Sequence, residues 1–287
     1  MTTNELRALA FGSSDVGKKR ERNEDNYLIQ KSLNLFLVAD GMGGHAGGQT
    51  ASKVTVDTIN QIIQTHQAIL EPSTSYDLEN LEKSPIAKLL SDALRGACHE
   101  VHQQSHSNAN LHGMGTTATA LLLHNEHAFV AHVGDSRAYL IRNNQIIQLS
   151  EDHSLVNEQL KAGLITAEQA RSSRFRNIIT RSVGFEDDVD VDMIALKAWP
   201  QDTFLLCTDG LTTLVADQEI HSILSENYLH EVPQLLVDLA NHRGGDDNTT
   251  IVLVYIYDDL GSDITNVENI RLTNNTDRTT TLTIHNE

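Results

Sequence analysis

The stretch LFLVADGMGGHAGG, residues 35–48, sets five apolar residues against one aspartate and follows it with five glycines. A short apolar run bounded by a turn signal reads as a strand buried on both faces, here Leu33–Asp40. A strand does not need five glycines in order to stop. Glycine is required where something approaches the backbone too closely for a Cβ, so the stretch asks what comes so near the chain after Asp40.

Composition limits the answers. The 287 residues suit one large domain, or one domain with an appendage, and a core that needs no covalent staples. Only two cysteines occur, Cys98 and Cys207, so a disulfide framework or zinc-finger spacing is excluded and a reducing cytoplasm is expected. Cys207 falls in the apolar run Phe204-Leu205-Leu206-Cys207 and reads as a core residue. Acidic residues outnumber basic ones 39 to 21, a net charge of −18, which opposes binding to nucleic acid or to an anionic membrane surface. No apolar run approaches the ~18 residues of a membrane span, and the N-terminus lacks the pattern of a signal peptide. The expectation is a cytoplasmic monomer.

Outward from the opening strand, apolar spacing predicts helices over 50–65 and 85–106, joined by a loop. TATALLLH, HAFVAHVG, RAYLIR and QIIQLS then follow in close succession, a meander of antiparallel strands. The segment 151–181 is irregular and partly helical. DVDVDMIAL (188–196) and TFLLCTD (203–209) read as strands around Pro200, helices are expected near 214–226 and 231–242, and NTTIVLVYIY (248–257) is the last strand. Strands and helices in blocks point to an α+β fold with stacked antiparallel sheets and helices outside. From Asp258 the chain turns rich in Thr, Asn and Asp, and 258–287 is expected to be a flexible tail on a 1–257 domain.

Aspartates recur at strand ends. Asp40 follows LFLVA, Asp209 follows TFLLCT, Asp247 precedes NTTIVLVYI, and Asp135 sits in the turn of VAHVGDSRAY. Each Asp-Gly pair alone could be no more than a turn. Four carboxylates on rigid strand ends can instead converge, and converging carboxylates need a cation between them; hard oxygen donors suit Mg²⁺ or Mn²⁺. Gly41 could then offer its backbone carbonyl to the same ion.

Eight stretches, SDVGKKRERNEDNY (14–27), LVADGMGGHAGGQTAS (37–52), GMGTTATALLL (113–123), AHVGDSRAYLIR (131–142), EDHSLVNEQLKAG (151–163), RNIITRSVG (176–184), LLCTDGL (205–211) and GGDDNTTIVLV (244–254), make the chain resemble the metal-dependent protein serine/threonine phosphatases of the PPM, or type 2C, family in their bacterial form. Each stretch is modest; eight in the family's order are specific. The resemblance implies a four-layer α-β-β-α sandwich of two antiparallel sheets flanked by helices. It implies two core Mn²⁺ or Mg²⁺ ions and a weaker third, with a hydroxide between the core ions attacking phosphorus in line. Asp40 would bridge the core ions, Gly41 would bind through its carbonyl, and Asp209 and Asp247 would hold the first ion. Glu24 and Asp25 match the acidic pair that supports the site through water. Asp135 with Asp209 matches the third site, and Arg20 matches the arginine that grips substrate phosphate, which a guanidinium does with two donors at once. His45 is the candidate general acid for the leaving alkoxide, or else a histidine that only hydrogen-bonds the glycine-rich turn. The implied partners are phosphorylated proteins, a Ser/Thr kinase and the substrates of that kinase. A catalytically dead module that reads phosphorylated proteins is the alternative; such a module usually lacks a metal aspartate, and all are present here.

Two features stand apart. Many bacterial members carry a His-Pro pair before the RNIITR stretch; here the flap beside the active site reads RSSRFRNIITR (171–181), a departure that bears on substrate selectivity. His99, His102 and His106 share one helix face near His112, and read as a solvated face for want of further ligands.

Overall fold

The strongest apolar runs become strands buried on both faces. In a computed structural model the described residues are 6–43, 47–71, 81–257, 270, 272 and 283–285. In chain order the strands and helices are β1 (Arg7–Asp15), β2 (Asn26–Gln30), β3 (Leu35–Ala39), β4 (Gly41–Met42), α1 (Gly47–Thr65), α2 (Pro85–Ser107), β5 (Gly115–Thr116), β6 (Ala118–His124), β7 (His127–Val133), β8 (Arg137–Arg142) and β9 (Gln145–Gln148). They continue with α3 (Leu155–Lys161), α4 (Ala167–Ser172), β10 (Asp192–Lys197), β11 (Thr203–Cys207), α5 (Asp209–Thr212), α6 (Asp217–Glu226), α7 (Val232–His242), β12 (Thr249–Tyr257) and β13 (Thr283–His285).

Two antiparallel sheets result. One runs β1-β12-β11-β8-β9, the other β13-β10-β7-β6-β3-β2, and β4 pairs with β5 separately. The two-residue period of each strand sorts its side chains between layers. Phe36 and Val38 of β3 meet Leu140, Phe204, Leu206, Val252 and Val254 between the sheets. Leu35, Leu37 and Ala39 of the same strand face Ile59, Leu90, Leu94 and Ala97 of α1 and α2. On the opposite outer face Leu205, Cys207, Ile251 and Leu253 pack against Ile220, Leu236 and Val237 of α6 and α7. Helices, two sheets and helices form four layers with three apolar seams, the expected α-β-β-α sandwich. Each fully buried Leu, Ile or Phe contributes roughly 1.5–3 kcal/mol.

The differences from the sequence reading have local causes. β1 was missed because RALAFGSSD is broken by Gly12 and polar residues; only Ala10 of it is buried, and its pairing with β12 is what makes it a strand. β2 was missed because none of its five residues is buried. The strand expected from 188 begins at Asp192, since the chain bends at Asp188, which is ion-paired to Arg95, and runs irregularly through 189–191. Most of 258–287 lies outside the described residues. Of the rest, β13 pairs with the edge of β10, and Ile270 and Leu272 pack against the outer core beside α7. No helix of the described residues is long and apolar enough to cross a membrane.

The registers bring one end of both sheets together. Ala39 at the end of β3 lies opposite Asn26 at the start of β2, Val133 opposite Ala118, Cys207 opposite Arg137, and Asp15 opposite Thr249. Every chain segment that carries one of the expected acidic residues leaves or enters a sheet at this end.

Candidate active site

A cleft of about 1220 Å³ opens there, lined by Arg20, Glu24, Asp40, Gly41, Asp135, Asp209 and Asp247, with residues 177–190 as its far wall. Asp25 lies beneath them, 6% exposed, and accepts a hydrogen bond from Thr208 Oγ1 at 2.9 Å. Of the residues expected from the sequence, these eight are brought together; His45 lies outside the described residues.

Asp40 is fixed through its backbone. Its N–H donates to Thr117 Oγ1 (2.9 Å), and its carbonyl accepts from Thr117 N (2.9 Å) and Thr116 Oγ1 (2.7 Å). The backbone thereby aims the side chain toward Asp209, whose carboxyl it meets by a side-chain hydrogen bond. Burial pushes the carboxyl of Asp25 up to about 7, that of Asp135 up to about 8 and that of Asp209 up to about 6, neighbouring carboxylates adding to the effect. Asp40 is raised well above the ordinary range by burial and by Asp25, Asp209, Asp135 and Asp247. Three buried oxygens, Oδ1 of Asp25, Asp135 and Asp209, have no hydrogen-bond partner. Buried carboxylate oxygens without donors are costly unless a cation meets them.

This donor set fits a hard divalent cation. Among the described residues no three His, Cys, Asp or Glu side chains close on one point tightly enough to hold an ion unaided. An open ring of carboxylates suits Mg²⁺, which keeps several waters and uses one or two carboxylates.

The opening question has a partly different answer. A Cβ on Gly41 would strike the carbonyls of Gly48 and Glu24, and one on Gly48 would strike the Glu24 carboxylate. What comes close to the glycine-rich turn is therefore other backbone: three segments cross there, and the crossing holds Glu24 beside Asp40.

Arg20 Nη2 donates to Asp247 Oδ2 at 2.6 Å, with half of its side chain exposed. One of five guanidinium N–H donors is used by this bond. Asn248, the residue after Asp247, is a clamp. It is 5% exposed; its Oδ1 accepts from Glu24 N (2.7 Å), and its Nδ2 donates to Val16 O and Arg22 O (2.9 Å each). Asn248→Ala should cost about 1–3 kcal/mol, because three part-buried backbone groups lose their partner. It should also raise KM, because the loop carrying Arg20 and Glu24 loosens. Urea unfolding and steady-state kinetics would check both; unchanged stability would remove the clamp role.

The protein phosphatase 2C family model matches residues 16–237, and the chain belongs to this family. It is 37% identical over 249 residues to the serine/threonine phosphatase Stp of Listeria welshimeri, covering 84% of this chain and 93% of that protein. The Mycobacterium tuberculosis serine/threonine phosphatase PstP/Ppp superposes with a TM-score of 0.76 at 32% identity, over 88% of this chain and 99% of that one. A structure of the PstP catalytic domain, at TM-score 0.75 and 30% identity over 88% of this chain and all of that one, holds two manganese ions. The chain is a metal-dependent protein-serine/threonine phosphatase.

Proposed function

We propose that the enzyme removes phosphate from phosphoserine and phosphothreonine of proteins with two core Mn²⁺ or Mg²⁺ ions held by Asp40, Asp209, Asp247 and the Gly41 carbonyl. Glu24 and Asp25 support this set through water, and Asp135 with Asp209 takes a weaker third ion. The observation that carries the reading is the row of buried carboxylate oxygens at the cleft floor that no protein donor satisfies. Such ions would lower the pKa of water for attack at neutral pH and offset the phosphate charge.

The protein's own groups do the rest. Thr116 and Thr117 fix the direction of Asp40, and Asn248 fixes the loop of Arg20 and Glu24. Arg20 stands at the cleft mouth, where a guanidinium can orient phosphate oxygens in pairs. A phosphoserine carries about −1.5 to −2 charge, so this contact acts on the bound substrate as well as in the transition state. His45 is the candidate proton donor to the leaving alkoxide. An opening about 1220 Å³ in volume has room for a peptide segment around the phosphorylated residue. The physiological role that follows is reversal of Ser/Thr kinase action on proteins.

The test is phosphate release, with Mn²⁺ present, from a phosphothreonine peptide and its phosphotyrosine counterpart. Strong preference for the first is expected. Arg20→Ala should raise KM severalfold while changing kcat less, because it removes a contact made before the chemical step. Unchanged KM together with collapsed metal affinity would assign Arg20 to the metal site instead of to phosphate.

A further inference from the structure

Asp135 sits in the turn between β7 and β8, and one histidine holds that turn from both sides. His153, 8% exposed, follows β9 at the entrance to the 151–181 flap. Its backbone N–H donates to Gly134 O at 2.7 Å, and Gly134 N–H donates back to His153 Nδ1 at 3.0 Å. The same residue binds the flap's exit, since its carbonyl accepts from Thr180 N at 2.9 Å. Its Nε2 lies 2.9 Å from Asp192 Oδ2 at the start of β10, where Arg181 Nη1 meets Asp192 Oδ1 at 2.5 Å.

These partners fix the tautomer. A backbone N–H can only donate, so Nδ1 must carry a lone pair, and Nε2 must carry the proton that Asp192 accepts. Arg181 Nη1, 3.1 Å from Nε2, then shares Asp192 with the ring and does not bond to it. His153 thus joins three parts: the backbone one residue before Asp135, residues 180–181 of the cleft wall, and β10.

We propose that His153 is a positioning residue for Asp135, setting where its buried carboxylate points and tying that position to the flap exit. The inference rests on the reading of Asp135 as a ligand of the weaker metal ion. Residues 179–182 and Asp135 line the same cleft, so a shift of the wall on substrate binding reaches Asp135 through His153.

Two substitutions divide the ring's functions. Asparagine places its Oδ1 near the position of Nδ1 and keeps the acceptor for Gly134. Glutamine places its amide near Nε2 and keeps the donor to Asp192. Mn²⁺ titration by calorimetry, without substrate, and amide hydrogen exchange at Gly134 read the outcome. In His153→Gln the weakest Mn²⁺ site should lose roughly 10–100-fold in affinity, the range for an outer-shell partner. The Gly134 amide should exchange faster, while the tighter sites stay as in wild type. His153→Asn should keep the weak site within about threefold of wild type, by the same scale. If both variants match wild type, or both lose the site equally, His153 does not act on Asp135 through Gly134. Asp135→Ala is measured alongside: retention of the weak site in that variant refutes the ligand reading, separately from the role of His153. Should His153→Gln fail to fold, ¹⁵N NMR of the wild-type protein decides, since a protonated Nδ1 on His153 would overturn the proposal.

Discussion

Asp40→Asn should lower kcat on a phosphothreonine peptide by roughly a thousandfold or more while the fold persists. The amide is nearly isosteric, and the hydrogen bonds that fix Asp40 run through its backbone to Thr116 and Thr117, so the geometry survives. What would be lost is one negative charge of the set proposed to hold the ions. Activation of water at neutral pH depends on cation charge held in place, and removal of one preorganised electrostatic partner commonly costs 10²–10³ in kcat. Relief of repulsion among the buried carboxylates should also make the metal-free variant more stable than the metal-free wild type. Turnover and thermal melting in chelator check the pair; near-normal kcat would refute the assignment of Asp40.

Chelation should abolish activity and also give the protein an inverted pH profile of stability. Asp25, Asp135 and Asp209 titrate at about 7, 8 and 6 in the folded protein, above the roughly 3.9 of an unfolded aspartate. A carboxyl raised in this way keeps its proton in the folded state when the unfolded chain has released it. Its contribution is complete below the unfolded pKa and is lost as pH rises through the folded value. The chelated enzyme should therefore lose stability as pH rises from about 4 to 8. With Mn²⁺ bound, the ionised carboxylates are the favoured form, so the slope should flatten and metal uptake should release protons. Urea midpoints at pH 5, 6.5 and 8, with chelator and with Mn²⁺, make the comparison. A flat profile in chelator would mean that the carboxylates are solvated and uncoupled.

The residues that announced themselves in the sequence are those whose signal is local. Asp40, Asp209 and Asp247 abut strands whose apolar runs are unmistakable, and their convergence follows once those strands are stacked. Arg20, Glu24 and Asp25 precede a strand with no buried residue, so periodicity was silent and only the order of the family's stretches singled them out. Asn248 and His153 were unreadable as functional residues for a different reason. The bond from Asn248 to Arg22 spans 226 positions, and the role of His153 depends on a backbone amide that carries no side-chain signature. The glycines at 41 and 48 were rightly read as a demand for close approach, but which body approaches is a property of the assembled chain.

The pairing of β1 with β12 has a consequence for how the enzyme comes into being. Asp15 finds its partner only at Thr249, and Arg7 only at Tyr257. On a ribosome adding roughly 5–20 residues per second, the first strand waits tens of seconds before its neighbour emerges. Until then the acidic cluster lacks Asp247, and Asn248 cannot yet clasp the early loop. A nascent chain thus lacks the assembled cleft until β12 has left the tunnel, and Asp247 takes its place there only together with that strand.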